Sequence, residues 1–221
     1  MSDVYTFVFM PIFLSAIAYW GMSGFWFLLD MFLAPHFRIP GGEIIDWTLY
    51  KKTAKHVLLL QSTTPLVMYG MIPIWKLRGV DTSFEGFFTF YTFLKLLYCP
   101  FFSDFIFYFT HKICHLKIFY NDVHKIHHEW VVPCALAAAY TSFYEFTLCN
   151  LPTFLLPPLI LNLNWYGAQV WFIFATLNVV IDHSGYVFFE KSIHHAKHHK
   201  YKMYNYGSKM LDEMLFTNYV N

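Results

Sequence analysis

The chain has 221 residues, of which 57% are hydrophobic, 22% aromatic and 13% charged. The charged fraction is about half that of a soluble globular domain, so the composition indicates an integral membrane protein. The net charge of +1 excludes a strongly basic nucleic-acid-binding protein, and without a repeat or a break in composition we predict one membrane domain over residues 1–221.

Three long apolar runs occupy the first half of the chain. Val4–Leu33 predicts the first membrane helix, which we expect to be retained as an anchor because the run has no basic leader and no obvious cleavage site. A polar connector over residues 34–55 leads to a second span, Val57–Trp75, and a third run extends from Phe84 to Thr110. Each run is long enough to cross about 30 Å of hydrocarbon, with tilt where needed.

The third run continues into a polar stripe. Asp104, Tyr108, His111 and His115 recur at intervals of 4, 3 and 4 residues. Such intervals place all four side chains on one face of a helix. We therefore predict that this helix leaves the bilayer and presents the stripe to a polar site.

Two further apolar runs, Ala135–Leu163 and Trp165–Ile181, predict a helical hairpin that turns at residues 162–164. Two crossings return His183 to the side of the membrane that the chain left. The predicted fold is therefore all-α: an integral membrane bundle of about four to five apolar helices with a histidine-rich helical cap. On the cap side this topology places twelve lysines and arginines, against only Lys76 and Arg78 opposite, which predicts a cytosolic cap.

Ten of the twelve histidines lie between residues 111 and 199, in three groups with helical spacing and at His183. Three or four imidazole nitrogens satisfy one zinc or iron ion, so this number predicts two metal ions held close together. The grouped ligands that we predict are His111, His115, His124, His127, His128, His195, His198 and His199. His194 points about 100° away from His195 on a helix and is expected outside the ligand set. His36 and His56 are interpreted as surface residues.

The order and spacing of these groups resemble the fatty acid hydroxylase/sterol desaturase superfamily, in its methyl-sterol oxidase and cholesterol 25-hydroxylase-like branch. The matching motifs are Asp104-x3-Tyr108-x2-His111-x3-His115, His124-x2-His127-His128-Glu129, Asp182-His183-Ser184-Gly185-Tyr186, His194-His195-x2-His198-His199 and Asn205-Tyr206-Gly207. The resemblance begins near residue 100. It implies that residues 1–99 are anchor helices, that residues 100–221 form the catalytic region, and that His183 is a ninth ligand.

The resemblance also implies an activity and its cofactors. These would be a non-haem diiron centre in an endoplasmic-reticulum membrane enzyme, O2, and electrons from NAD(P)H through a separate protein, a cytochrome b-type donor with its reductase. Imidazole suits iron, and zinc is expected to substitute for iron in preparations. The substrate would be a membrane lipid. No nucleic-acid partner is expected, and the oligomeric state is left open.

Around the metals we predict supporting roles for Asp104, Glu129 and Tyr140 in catalysis. Asp104 is expected to be a partner of a ligating imidazole, and Glu129 and Glu145 are expected to orient histidines. Tyr108 and Tyr206 are assigned mainly to helix packing. Two departures from the family pattern stand out: only eleven residues separate His183 from His195, and Leu211-Asp212-Glu213 replaces the usual Trp-Asp-Arg. We expect a reduced lid and a different docking of the C-terminal cap.

These features predict an O2-dependent diiron lipid oxidoreductase that hydroxylates or desaturates a sterol-like lipid. Tyr140-x-Ser142-x2-Glu145 favours a sterol, because the small Ser142 leaves room for a wide substrate. The alternative is a fatty-acyl or sphingolipid hydroxylase. Two non-enzymatic alternatives are a histidine-rich metal transporter, whose ligands should line the spans, and a metal-stabilised scaffold, which should have lost part of a histidine group.

Overall fold

The computed structural model describes residues 2–32 and 35–219, so the predicted end of the first span at Leu33 lies outside the described residues. Within these ranges the protein is helical, and one isolated β-bridge joins Arg38 to Tyr186. The α-helices, in chain order, are α1 Met10–Phe32, α2 Trp47–Gln61, α3 Thr64–Leu77, α4 Phe84–Phe87, α5 Phe90–Cys114, α6 Lys117–Phe119, α7 Phe143–Glu145, α8 Leu151–Ile160, α9 Trp165–Asp182, α10 Glu190–Tyr201 and α11 Lys209–Met214.

Three helical stretches are long and apolar enough to cross a membrane: Tyr5–Phe32, Trp47–Leu77 and Phe90–Cys114. They confirm an all-α integral membrane fold. The second stretch begins ten residues before the predicted Val57, because the Asp46 side chain caps α2 by accepting from two backbone N–H groups at 2.9 Å. The polar connector is therefore shorter than predicted.

The apolar run from Ala135 to Leu163 is not one helix. Ala135–Ala139 forms a buried 3-10 turn, and the helical chain begins again at Phe143, where Ser142 is the N-cap. The turn packs against α1, α2 and α9 inside the protein, because its alanine side chains are small enough for close contact. The hairpin is thus made of α9 and the stretch from α7 through a π-turn at Phe146–Asn150 to α8.

A buried ion pair fastens the first helix to the cap. Asp30 of α1 lies 2.6 Å from Arg38, and both side chains are almost fully buried. The Tyr186 hydroxyl donates to Asp30 at 2.9 Å, and Arg38 donates to the carbonyl of Pro133 at 3.0 Å. No pattern in the sequence predicted a role for this ion pair. Its network positions the turn that follows His183.

Gly185 in that turn has a φ of +75°. A Cβ atom there would overlap the Pro133 carbonyl oxygen and the Arg38 guanidinium. Only glycine combines this backbone conformation with so close an approach. The Ser184-Gly185 step therefore lets the chain reverse beside the histidine groups.

Candidate metal centre

The structure brings all nine predicted ligands together in two adjacent groups, each with its ligand nitrogens within 4.8 Å of one another. Site A contains five histidines and site B contains four. Site A is His111, His115, His124, His128 and His198, and site B is His127, His183, His195 and His199. Both groups can hold a metal ion.

The spacing within each histidine group decides which site a residue joins. Histidines four positions apart share a site, as His124 and His128 do in site A. A histidine three positions after the first points to the other site, so His127, three residues after His124, belongs to site B. The last group repeats the pattern, with His195 in site B and His198 in site A. Each of these two groups therefore bridges the two sites.

Local structure differs from the prediction in the middle group. His111 lies in the last turn of α5 and the final group lies on α10, as expected. His124, however, ends a π-turn over Tyr120–His124, and His127 and His128 lie in a 3-10 turn. Such irregular turns are frequent at functional sites. Here they aim consecutive rings at two sites.

In site A, Nδ1 of two rings contacts a backbone carbonyl, and Nδ1 of a third lies beside a buried carboxyl group. His111 Nδ1 lies 2.6 Å from the carbonyl of Tyr206, and His198 Nδ1 lies 2.7 Å from the carbonyl of Tyr204. His124 Nδ1 lies 2.8 Å from a carboxylate oxygen of the buried Glu145. The predicted role of Glu145 in orienting a histidine fits this placement.

In site B, backbone carbonyls orient three rings in the same way. The Nδ1 atoms of His183, His127 and His199 lie 2.8, 3.2 and 2.7 Å from the carbonyls of Val179, Tyr140 and Trp130. A ring that donates Nδ1–H to a carbonyl carries its lone pair on Nε2. Second contacts of this kind are typical of metal-ligating histidines.

The Nε2 atoms face one another at short range. His111 Nε2 lies 3.1 Å from that of His124, and His127 Nε2 lies 3.3 Å from that of His183. In the His127–His183 pair both Nδ1 atoms already contact carbonyl oxygens, so the two Nε2 lone pairs would repel unless a cation lay between them. The donor set therefore fits two metal ions that accept imidazole, such as iron or zinc.

The protein environment keeps these rings neutral. Burial, together with the neighbouring imidazoles, lowers the pKa of His115 to about 2. Burial lowers the pKa of His183 to about 4. The pKa values of His127 and His195 are also well below the ordinary value, for the same reasons. Neutral imidazole is the form that binds metal.

A cavity of about 670 Å³ adjoins the histidines. Three of the four histidines of site B line it, whereas only His111 of site A does. The wall is mainly apolar, with Phe107, Phe154 and Trp171 among its residues, and Asp182 and Lys191 add charge. Site B therefore contributes more rings to the cavity wall than site A does.

The structure does not give Asp104 the predicted imidazole partner. Its carboxylate accepts hydrogen bonds from the backbone N–H of Ser208, at 2.8 Å, and from the Ser208 hydroxyl. Asp104 therefore fastens the start of α11 to α5. It also lines the cavity, so it remains close to a substrate path.

Glu129 and Tyr140 also lie in a different arrangement from the one predicted. The Glu129 carboxylate lies 2.7 Å from the Lys52 ammonium and accepts from the Tyr140 hydroxyl at 2.9 Å. Glu129 therefore orients no histidine through these contacts. Tyr140 contacts the centre through its backbone carbonyl, not through its phenol. The Tyr140 ring lies beside Lys52 and His56, so its hydroxyl is not among the histidines, and a catalytic role for Tyr140 stays a prediction.

Two further residues were assigned incompletely. His56 is half-buried, and its Nε2 lies 2.7 Å from the carbonyl of Thr141, so the surface interpretation was wrong. His194 lies outside both sites, as expected, with Nε2 3.0 Å from Asp212. Asp212 itself is fully buried and was missed as a supporting residue. The sequence did offer one indication: Asp212 lies in Leu211-Asp212-Glu213, the segment that differs from the usual Trp-Asp-Arg of the family pattern.

Comparison with known proteins gives a family match. The family model for fatty acid hydroxylase matches residues 96–217, which is more than half of the chain and contains all nine histidines. No solved structure matches the chain.

Several characterised proteins are similar in sequence. A methylsterol monooxygenase of Aspergillus fumigatus is 27% identical, over 99% of this chain and 80% of its own length. A sphingolipid C4-hydroxylase of Saccharomyces cerevisiae is 29% identical, over 83% of this chain and 62% of its own. Fatty acid hydroxylase domain-containing protein 2 of Homo sapiens is 27% identical, over 76% of this chain. The chain spans about half (53%) of the length of that human protein.

Proposed function

The chain belongs to the fatty acid hydroxylase family, and we propose that it is an O2-dependent lipid hydroxylase of a membrane, with one iron ion in site A and one in site B. The observation that carries the proposal is the set of nine buried or half-buried imidazoles whose nitrogens converge in two groups beside an apolar cavity. A metal transporter would place such ligands along the spans. Here they gather at one end of the helices.

The bound irons would supply the reductive activation of O2 and the attack on an unactivated C–H bond. In the overall reaction one oxygen atom enters the C–H bond, and the other leaves as water after two electrons and two protons have been supplied. The neutral Nε2 atoms of the histidines in sites A and B would hold these ions. Carbonyls of residues such as Tyr206 and Val179 fix the ring orientations. The apolar cavity wall excludes water from the reacting carbon.

We propose a sterol-like substrate. A volume of about 670 Å³ lies within the range of cavities that enclose a compact, drug-sized ligand. The similarity to a methylsterol monooxygenase over 99% of the chain supports this choice. Ser142 gives it no support, because its hydroxyl accepts from the Glu145 N–H at 3.1 Å as the cap of α7.

A fatty-acyl or sphingolipid substrate is the second candidate. Asp182, Glu190 and Lys191 line the cavity together with the apolar residues, and such a combination suits a lipid with a polar head and an apolar chain. The similarity to a sphingolipid C4-hydroxylase points the same way.

The proposed setting is the endoplasmic-reticulum membrane with both sites facing the cytosol. Lysines and arginines concentrate on the histidine side of the predicted topology, which supports this orientation by the positive-inside rule. Electrons would then reach the centre from NAD(P)H through a cytochrome b-type protein and its reductase.

The test uses membranes that contain the full chain, supplied with NAD(P)H and heavy-isotope O2. Oxygen label in the sterol fraction supports the proposal, and label in sphingolipids or fatty acids supports the second candidate. Loss of two hydrogens without label would indicate desaturation. The matched controls are His195→Ala, which removes a site-B ring, and His36→Ala, which removes an exposed one. Label that persists in His195→Ala would contradict the proposal.

A further inference from the structure

The two sites are held by different parts of the chain. In site A, the carbonyls that orient His111 and His198 belong to Tyr206 and Tyr204. Both lie in the C-terminal clasp, which we define as residues 204–219. If this segment became disordered, two rings of site A would lose the carbonyl contacts that fix their orientation.

Asp212 holds the clasp together. Its carboxylate accepts from the backbone N–H groups of Tyr206 and Gly207, at 2.8 and 3.0 Å, and from the Thr217 hydroxyl at 2.8 Å. His194 Nε2 lies 3.0 Å from the same carboxylate. Asp212 is fully buried, so no water replaces these contacts if they are lost. One carboxylate thereby fixes the peptide that orients His111.

The carbonyls that orient three rings of site B lie outside the clasp, although Asn205 and Asp212 of the clasp contact His194, the neighbour of His195. The three carbonyls come from Val179 in α9, Tyr140 beside the alanine turn, and Trp130. Tyr140 and Trp130 belong to one buried cluster with Tyr186, which the Asp30 and Arg38 pair secures. This cluster lies in the core of the protein and contains no residue of the clasp.

From this division we propose that Asp212 is a positioning residue that sets metal occupancy at site A and leaves site B loaded. The proposal rests on the function proposed above, since it requires a metal in each site. Asp212→Asn keeps the size of the side chain but replaces one acceptor oxygen with an NH2 group. Either the N–H of Tyr206 or that of Gly207 then loses its acceptor, and the clasp loosens. The carbonyls of Tyr206 and Tyr204 then shift away from His111 and His198, which leaves three undisturbed rings in site A.

The experiment measures Zn²⁺ bound per chain after loading at neutral pH, by elemental analysis of the full chain in detergent. Zinc accepts the same imidazole ligands as iron and needs no redox partner. The parent should bind about two ions and Asp212→Asn about one. The matched control is Glu213→Gln, which changes the exposed neighbour and should bind as the parent does.

Two further backgrounds assign the lost ion to a site. With site B disabled by His127→Ala and His183→Ala, Asp212→Asn should remove the remaining ion. With site A disabled by His115→Ala and His128→Ala, Asp212→Asn should change nothing, because only site B is loaded. If Asp212→Asn does not fold, Thr217→Val replaces it, because this change removes one hydrogen bond to Asp212. Thr217→Val should lower the zinc affinity of site A by a smaller factor.

The outcomes separate the two proposals. A parent chain that binds no zinc would overturn the proposed function itself. A parent with about two ions and an Asp212→Asn variant that also keeps two would overturn the role of Asp212 alone. Loss of the site-B ion in the background without site A would show that Asp212 only stabilises the fold, and would overturn the proposal as well.

Discussion

His115 Nε2 lies 3.1 Å from His198 Nε2, although 83 positions separate the two residues in the chain. This contact joins the end of α5 to α10 across site A. In site B, His127 and His183 meet at 3.3 Å and come from the middle turn and the end of α9. Because every site draws on at least three separate segments, metal binding should couple the cap to the membrane helices.

Removing one ring should affect site B more than site A. His183→Ala leaves three imidazoles in site B, whereas His115→Ala leaves four in site A. We expect His183→Ala to lose about one of two bound ions and His115→Ala to retain most of both, since four ligands complete a tetrahedral site. Metal analysis of the purified variants checks this. Equal loss in the two variants would contradict the assignment of five and four ligands.

Acid should destabilise the protein through its buried histidines. The folded pKa values of His183 and His115, about 4 and about 2, lie below the ordinary value of about 6.5 that the unfolded chain would have. The unfolded state therefore binds more protons below about pH 6.5, and the free energy of unfolding falls as the pH falls from there toward about 4. Well above pH 6.5 these groups are unprotonated in both states, and they no longer change the free energy of unfolding.

The measurement is the thermal midpoint of the metal-free protein at pH 8.5, 7.5 and 5. We expect similar midpoints at the first two values and a lower one at pH 5. His36→Ala is the control, because an exposed histidine should leave the profile unchanged. A midpoint that stays constant down to pH 5 would show that the rings do not remain neutral in the fold.

Glu129→Gln should be nearly neutral, contrary to the catalytic role that the sequence suggested. The Lys52 and Glu129 side chains are 56% and 36% exposed, and exposed ion pairs contribute about 0–1 kcal/mol. Metal content and lipid-hydroxylating activity should both stay close to those of the parent. A loss of activity greater than about tenfold, with metal retained, would restore Glu129 to the catalytic machinery.

Arg38→Ala should be strongly destabilising. Asp30 would remain buried without its partner charge, and such a change costs about 3–5 kcal/mol. Lys76→Ala is the matched control, because its pair with Asp3 is exposed and should contribute less than about 1 kcal/mol. Thermal unfolding in detergent compares the two. Similar midpoints for both variants would mean that the buried network does not secure the cap.

The proposed orientation can be tested by engineered glycosylation acceptors. An acceptor placed after Gly79 should be modified, and one placed near Gly42 should stay bare, because only the lumenal side carries the glycosylation machinery and the cap is proposed to be cytosolic. The molecular mass of each variant before and after deglycosylation gives the answer. Modification near Gly42 alone would reverse the orientation.

Much of the architecture follows from local sequence. The apolar runs predicted the membrane helices, since a continuous apolar stretch of this length matches the thickness of the bilayer hydrocarbon. The intervals His111-x3-His115 and His124-x2-His127-His128 predicted rings aimed at a shared centre, because helical periodicity depends only on spacing. The family match covers these same residues.

The tertiary structure alone decided how the rings are divided and what supports them. Spacing cannot show that His127 leaves its neighbours for site B, because this depends on where α9 and α10 bring His183 and His199. Nor can it show that Asp104 pairs with Ser208, 104 positions away, and not with an imidazole. A carboxylate binds the nearest donor that the folded chain places beside it. Which donor that is depends on contacts between segments far apart in sequence, and these exist only once the helices have packed.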